Sequence, residues 1–485
     1  CLHPYRRSPV SGLCAWLRRA PDTAPALLGL PGELTGLPGD PASLSYAELR
    51  AVLAGASAQV ATAGHADHEP LAIAAASRAE CILLILLAAW QGRPAIPLPK
   101  DALTSAERQL PDGPGLLCGS VAARLDPAPG WKRIDVDWPG AFAHPGGPPA
   151  AADGPGWILQ TSGTTGVPRR VVLESRNITA SVAASAAVMR FSRGDRWLLC
   201  LPTDRIGGLM VLARALACSG AVAVSEEFDA GAIGATLAEK RIEHISVVPA
   251  MLDPLLDEDA GASLRSLLIG GASLSPSLAE RLCVCAWPAW VSYGMTETCS
   301  HVALAPVDGA WRPGLVGPPV PGAQIEVREG FDEPDRLAIA GPMVMRGYLD
   351  EPPLRGPFLS GDVGWIDGDG RLHVSGRADD MIITGGTNVH PASVEAVLAG
   401  MPGIDAVAVG SVEDSRWGRR LVALYVGDAD PDSIAKACRS RLSAAERPRE
   451  FRRVPALPAM ISGKLDRRAI DDLLAGSGRD DPFAG

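Results

Sequence analysis

Between residues 157 and 298 short apolar runs alternate with helix-spaced stretches, as RWLLCLP, GGLMVLARALACSG, AVAVS, DAGAIGATLAEKR, HISVVP, SPSLAERLC and WVSYGM follow one another. This rhythm predicts β-α units wound on a largely parallel sheet, which places the chain in the α/β class. Ligands on such sheets sit outside the carboxyl ends of the strands, so residues that directly follow strands are the first candidates for chemistry.

The flanking regions read differently. Residues 44–99 are mostly helical in pattern, and the apolar run Cys81 to Trp90 is too short to span a bilayer and predicts a buried helix. Pro and Gly crowd residues 139–156, which predicts a loop or linker. After residue 312 short strands and turns take over (GAQIEVREG, DRLAIAG, GWIDGDGRLHVSG). A new α/β pattern starts near Arg377, with a helix at HPASVEAVLAG, strands at DAVAVGSV and LVALYVG, and a helix at PDSIAKACRSRLSAAERP. Two domains are expected: 1–376, with parallel sheets, helices and a β-rich subdomain, and a small mobile α+β domain at 377–485.

At 485 residues the chain has ample material for a large core, and 47 % apolar with 21 % charged residues is ordinary globular composition. A net charge of −10 argues against a protein held on nucleic acid by phosphate contacts. The ten cysteines show no C-x-x-C pair and are expected to be buried reduced thiols in a cytoplasmic protein. The chain opens on Cys1, and its first twenty residues lack an apolar stretch of signal-peptide length, so neither a secretory leader nor membrane insertion is expected.

Four segments carry candidate chemistry. In ILQTSGTTGVPRR, the run Thr161-Ser162-Gly163-Thr164-Thr165-Gly166 follows an apolar strand. Its glycines let backbone N–H groups converge on an anion, while its hydroxyls add donors, so the run is either a phosphate cradle or a linker. The Walker A spacing is absent. In VSYGMTETCS a strand runs into Tyr293 and Gly294, and then Thr296 and Glu297; a tyrosine there can stack on a purine and the glutamate can hold Mg²⁺, or both can be plain sheet-edge residues. In LSGDVGWIDGDGRLHVSGRADDMI, Asp362 can accept two hydroxyl donors, as from a ribose, whereas Asp367-Gly-Asp369-Gly lacks later calcium ligands and reads as a hairpin turn. Lys464, in PAMISGKLDRRAI, is one of five lysines among the 45 Lys and Arg, and a slim ammonium enters sites that a guanidinium does not fit.

Taken in order, these segments resemble the adenylate-forming superfamily of acyl-CoA synthetases, non-ribosomal peptide synthetase adenylation domains and firefly luciferase, from about residue 44 to 470. The resemblance implies a phosphate loop at 161–170 that includes Arg169, where the family usually has Lys. It implies an adenine site at Gly270, Gly271 and Ala272 with Tyr293 and Gly294, contacts to the α-phosphate and Mg²⁺ from Thr296 and Glu297, and a ribose site at Asp362 and Arg377. GLVGPPVPG at 314–322 matches the strand and turn that usually follow. Asp379 falls at the family's hinge and Lys464 at its catalytic lysine. Asp204, Arg205 and Gly208 fall beside the acyl pocket, where Arg205 is read either as one half of a surface ion pair or as the recogniser of a second substrate carboxylate.

The implied chemistry uses ATP and Mg²⁺ to convert a carboxylic acid into an acyl-adenylate, followed by rotation about Asp379 and thioester formation with CoA. GRADDMIITGGTNVHPASVE resembles the free-standing acid–CoA ligases, and LPTDRIGGLMVLARAL with SYGMTET leans towards their o-succinylbenzoate–CoA branch. The expected partners are therefore a small-molecule carboxylic acid and CoA. Two other readings stand beside this one: a ligase that loads a separate acyl-carrier protein, and a non-catalytic adenylate-binding homologue.

Overall fold

The structure, a computed structural model, describes residues 12–30, 42–62, 69–98, 110–111, 114–125, 129–143, 155–161, 169–328, 336–458 and 465–476. The predicted β-α rhythm folds into an eight-stranded sheet, in the order Ser300–Pro306, Ala289–Met295, Ser266–Ile269, His244–Val247, Arg196–Leu199, Ala221–Val224, Pro25–Leu30 and Ala42–Ser45. All pairings from Ala289–Met295 to Pro25–Leu30 are parallel, and only the two edge strands run antiparallel. The carboxyl ends of Ser266–Ile269 and Ala289–Met295 therefore lie side by side, which delivers Gly270–Ala272 and Thr296–Glu297 to one edge of the sheet.

A seven-stranded sheet contains Pro155–Thr161 and Arg169–Glu174, with the two-residue strand Gly347–Tyr348 on its edge. Between the two large sheets lies the apolar helix Arg78–Gln91, buried nearly all round as its sequence predicts. Ser77 caps it by accepting the Glu80 N–H, and Gly92 ends it at φ 71°. Glu226 accepts the Arg78 and Ala79 N–H groups at 2.6 and 2.9 Å, so a carboxylate from the loop after strand Ala221–Val224 satisfies this helix's first donors.

The β-rich region is a five-stranded sheet, in which Phe358–Ile366 and Leu372–Arg377 form a hairpin. Asp367 sits in its turn as expected, with its carboxylate accepting the Asp369 and Arg371 N–H groups. Beyond Arg377 come the small hairpin Ile382–Thr384 and Thr387–Val389, the helix Pro391–Leu398, and a three-stranded sheet built on Ile404–Asp414 and Gly418–Gly427.

Three expectations need correction. The Pro/Gly-rich stretch is not all loop, because Trp138–Ala143 is helical: Pro139 falls in the first turn, where a missing N–H costs nothing, and Asp137 Oδ1 accepts the Gly140 N–H at 3.1 Å. The last predicted helix covers only Pro431–Arg441, since Leu442 is extended. Cys283 and Cys285 are exposed, whereas six other cysteines are buried, because they end the surface helix Pro276–Val284. No helix of the described residues is long and apolar enough to cross a membrane.

Candidate active site

The turn after strand Ala289–Met295 is short and strained. Thr296–Thr298 form one 3-10 turn, and then Cys299 and Ser300 both take positive φ, 52° and 93°, which non-glycine residues seldom adopt. The turn is held by its neighbours. Thr298 Oγ1 accepts the Met295 N–H at 3.0 Å and donates to the Ser300 carbonyl at 2.7 Å, while Ser181 Oγ donates to the Cys299 carbonyl at 2.6 Å. Gly294 is required there, since a Cβ would lie 2.0 Å from the Ser300 carbonyl oxygen. Gly270 and Gly271 follow the adjacent strand; a Cβ at Gly270 would meet Ser292 Oγ at 2.6 Å, and Ala272 is exposed.

Two charged clusters meet this turn. In the first, the buried Tyr293 donates its hydroxyl to Asp362 Oδ2 at 2.8 Å. Asp362 lies 3.5 Å from Arg377 Nη1, and the same guanidinium reaches Asp379 Oδ2 at 3.1 Å. Burial, and then the Asp362 charge, push the Tyr293 phenol well above its usual pKa, so it stays a donor. Burial alone would lower the Arg377 pKa, but Asp362 and Asp379 beside it carry it upward. Tyr293, the hairpin pair Asp362 and Arg377, and Asp379 thus form one chain of polar contacts.

In the second cluster the Glu297 carboxylate accepts the Tyr348 hydroxyl at 3.0 Å, and the Arg169 guanidinium lies 3.3 Å from the centre of the Tyr348 ring. Arg169 also pairs with Glu351 at 2.7 Å, and its carbonyl accepts Thr161 Oγ1 at 3.3 Å. Burial, followed by Glu297, pushes the Tyr348 phenol up, so its proton stays on the oxygen. The expected phosphate-loop residues Ser162, Gly163, Thr164, Thr165 and Gly166 and the expected catalytic Lys464 lie outside the described residues.

The acyl-pocket candidates are placed differently from one another. Arg205 is 47 % exposed and pairs at 3.1 Å with the largely buried Asp204. Gly208 packs against the loop before it, because a Cβ there would sit 2.2 Å from the Pro202 carbonyl oxygen.

Two functional candidates are not apparent from the sequence motifs: Tyr348, described above, and Arg214. Arg214 lies on the apolar helix Ile206–Ala217 and is 1 % exposed. Its Nη2 donates to Ser300 Oγ at 2.9 Å, and its other contacts are Ser185 Oγ and His301 Nδ1, both at 3.4 Å, and the Trp197 ring. Among the described residues no carboxylate pairs with it. Burial pushes this guanidinium down to about 10, still charged at neutral pH. A buried cation without an acidic partner costs on the order of several kcal/mol, and this one lies under Ser300, three residues after Glu297. The one sequence clue is a single charge inside GGLMVLARALA.

His301 shares this cluster, with Nε2 2.7 Å from Ser185 Oγ, and burial, followed by the neighbouring Arg214, pushes its pKa well below the ordinary 6.5. The folded protein therefore refuses a proton that the unfolded chain accepts. Stability is expected to be full above about pH 6.5 and to fall as pH drops below it, by about 1.4 kcal/mol per pH unit for each such histidine. Urea midpoints between pH 5 and 8 measure this, and His301→Gln should flatten the slope; parallel slopes in the two proteins would remove His301 as its source.

Tyr293 and Glu297 lie at the carboxyl end of a strand of the parallel sheet, where open sheets of this kind commonly take ligands such as nucleotides. Residues 54–349 match the family model of the AMP-binding enzyme and residues 393–464 that of the AMP-binding enzyme C-terminal domain, and the chain belongs to this family. It is an AMP-forming acid–thiol ligase. Similar proteins include the 2-succinylbenzoate–CoA ligase of Bacillus licheniformis, 36 % identical over 330 residues that cover 64 % of this chain and 69 % of the relative. The ligase of the same name from Bacillus pumilus is 34 % identical over 329 residues, 64 % of this chain and 68 % of the relative. Among solved structures, the o-succinylbenzoate CoA synthetase of Bacillus subtilis in complex with the acyl-adenylate intermediate OSB-AMP is 26 % identical. It superposes with a TM-score of 0.81 over 95 % of this chain and 98 % of that one. ATP-bound MatB from Rhodopseudomonas palustris shares the fold at 24 % identity and a TM-score of 0.81.

Proposed function

We propose that the protein activates 2-succinylbenzoate, an acid with two carboxylates, with ATP and transfers the acyl group to CoA. Arg214 is the observation that carries this choice of acid: a buried guanidinium with no acidic partner among the described residues, beneath the turn that presents Thr296 and Glu297, matches the carboxylate that is not activated. The named relatives support the same choice. Arg205, paired with Asp204 and half exposed, is the weaker candidate for that role.

Asp362 and Arg377 hold the ribose hydroxyls, Tyr293 braces Asp362, and the glycines at 270 and 271 leave room for the base. The phosphates lie along residues 161–170, with Arg169 and Thr296 as donors. Glu297 is the residue that would hold Mg²⁺, a hard cation that takes oxygen ligands and keeps several waters. Bound there, Mg²⁺ supplies positive charge against the phosphate oxygens. One carboxylate oxygen of the acid attacks the α-phosphorus, the bond to pyrophosphate breaks, and Lys464 neutralises charge on the attacking and equatorial oxygens. The C-terminal domain, from residue 377, then turns about Asp379, and the CoA thiolate attacks the acyl carbon and expels AMP. The reaction belongs in the cytoplasm, where ATP and reduced thiols are at hand.

A separate acyl-carrier protein is the alternative thiol donor. Incubating enzyme, ATP and acid with free CoA on one side and with a phosphopantetheinylated carrier on the other distinguishes the two: thioester on CoA at low micromolar enzyme supports this reading, and thioester on the carrier alone replaces it.

A further inference from the structure

Tyr348 stands between the two charges that the proposed function assigns to phosphate and metal. One face of its ring carries the Arg169 guanidinium at 3.3 Å, while the hydroxyl at its edge donates to Glu297 Oε1 at 3.0 Å. The backbone fixes all three. Tyr348 pairs with Val171 across the edge of the seven-stranded sheet, two residues from Arg169, and the Met345 N–H donates to the Glu297 carbonyl at 2.8 Å. Glu351, three residues beyond Tyr348, also pairs with Arg169 at 2.7 Å.

We propose that Tyr348 is a positioning residue that keeps Arg169 from closing on Glu297, so that the carboxylate remains for Mg²⁺ and the cation is held only by its exposed pair with Glu351, which nucleotide phosphate can displace. Opposite charges this close to one ring would close into a direct ion pair if the ring were removed, and each would then be lost to its ligand. The flat guanidinium stacks on the ring in a way that a rounded ammonium matches less well, which gives the arginine at position 169 a physical reason. The inference rests on the assignment of Arg169 and Glu297 to MgATP.

The test is equilibrium binding of a fluorescent ATP analogue, with Mg²⁺ and with EDTA, to the wild type, Tyr348→Phe and Tyr348→Leu, with melting curves as a folding check. Phenylalanine keeps the stack and loses only the hydrogen bond to Glu297, so the affinity gained from Mg²⁺ should fall roughly five- to tenfold while metal-free affinity stays within about twofold. Leucine removes the stack as well, so metal-free affinity should also fall. A folded Tyr348→Phe that keeps the full Mg²⁺ gain overturns the inference while the assignment beneath it stands. A wild type that binds no nucleotide, or gains nothing from Mg²⁺, overturns that assignment and the inference together.

Discussion

Arg214→Met should lose the preference for a two-carboxylate acid and keep its fold. Truncating one partner of a buried, hydrogen-bonded charge pair typically costs about 2–5 kcal/mol. At about 1.4 kcal/mol per tenfold, kcat/KM for 2-succinylbenzoate should fall roughly thirtyfold to several thousandfold. The comparison acid is 4-oxo-4-phenylbutanoate, which has the same skeleton without the ring carboxylate, and its kcat/KM should change by no more than about threefold, since it offers the guanidinium nothing to bind. Thermal stability should hold or rise, because the substitution removes a buried charge with no acidic partner among the described residues and leaves an apolar side chain of similar length in an apolar helix. Arg214→Lys should fall between, with its charge retained and the planar guanidinium that reaches Ser300 and Ser185 lost. An equal loss on both acids would assign Arg214 to the support of the strained turn at Cys299 and Ser300 and would remove it from substrate recognition.

The second large effect is expected at Lys464. Adenylation brings an anionic carboxylate onto an anionic phosphate, and a single well-placed donor at such a centre is worth about 10²- to 10³-fold in rate. Lys464→Ala should therefore lose at least that factor in ATP–pyrophosphate exchange. Supplied with preformed acyl-adenylate and CoA, the same variant should make thioester at close to the wild-type rate, because in the proposed sequence the domain turn withdraws this lysine before the second step. A variant equally slow in both halves would place Lys464 in the fold of its domain and take away its role at the phosphate.

The fold was largely legible from pattern. Strands buried on both faces read as short apolar runs, and the runs at 196, 221, 244 and 289 became parallel strands of one sheet. Capping and turn chemistry misled in small ways. Pro139 looked like a breaker but occupies the first helical turn, the one place where proline is harmless.

The site was legible only where chemistry lies close in sequence. Thr296 and Glu297 share a turn, and Asp362 pairs with Arg377 across a hairpin, so motif reading reaches both. Tyr348 acts on residues about fifty positions before it on one side and about 180 on the other, through strand pairing that has no local signature. Arg214 is harder still. Its meaning lies in what the fold surrounds it with, hydroxyls, an imidazole and an indole with no acid among the described residues, and that is a property of three dimensions. Arg205 drew attention because the resemblance places it beside the acyl pocket, and the structure pairs it with its neighbour Asp204.

The central claim, that this site joins ATP to a two-carboxylate acid, is tested most directly by ATP–pyrophosphate exchange in the wild-type protein with 2-succinylbenzoate, 4-oxo-4-phenylbutanoate, malonate and a fatty acid, each supplied alone with MgATP. Exchange that depends on 2-succinylbenzoate and falls at least about tenfold when the ring carboxylate is absent is the predicted result. Exchange as fast with 4-oxo-4-phenylbutanoate, or faster with the fatty acid, would contradict it.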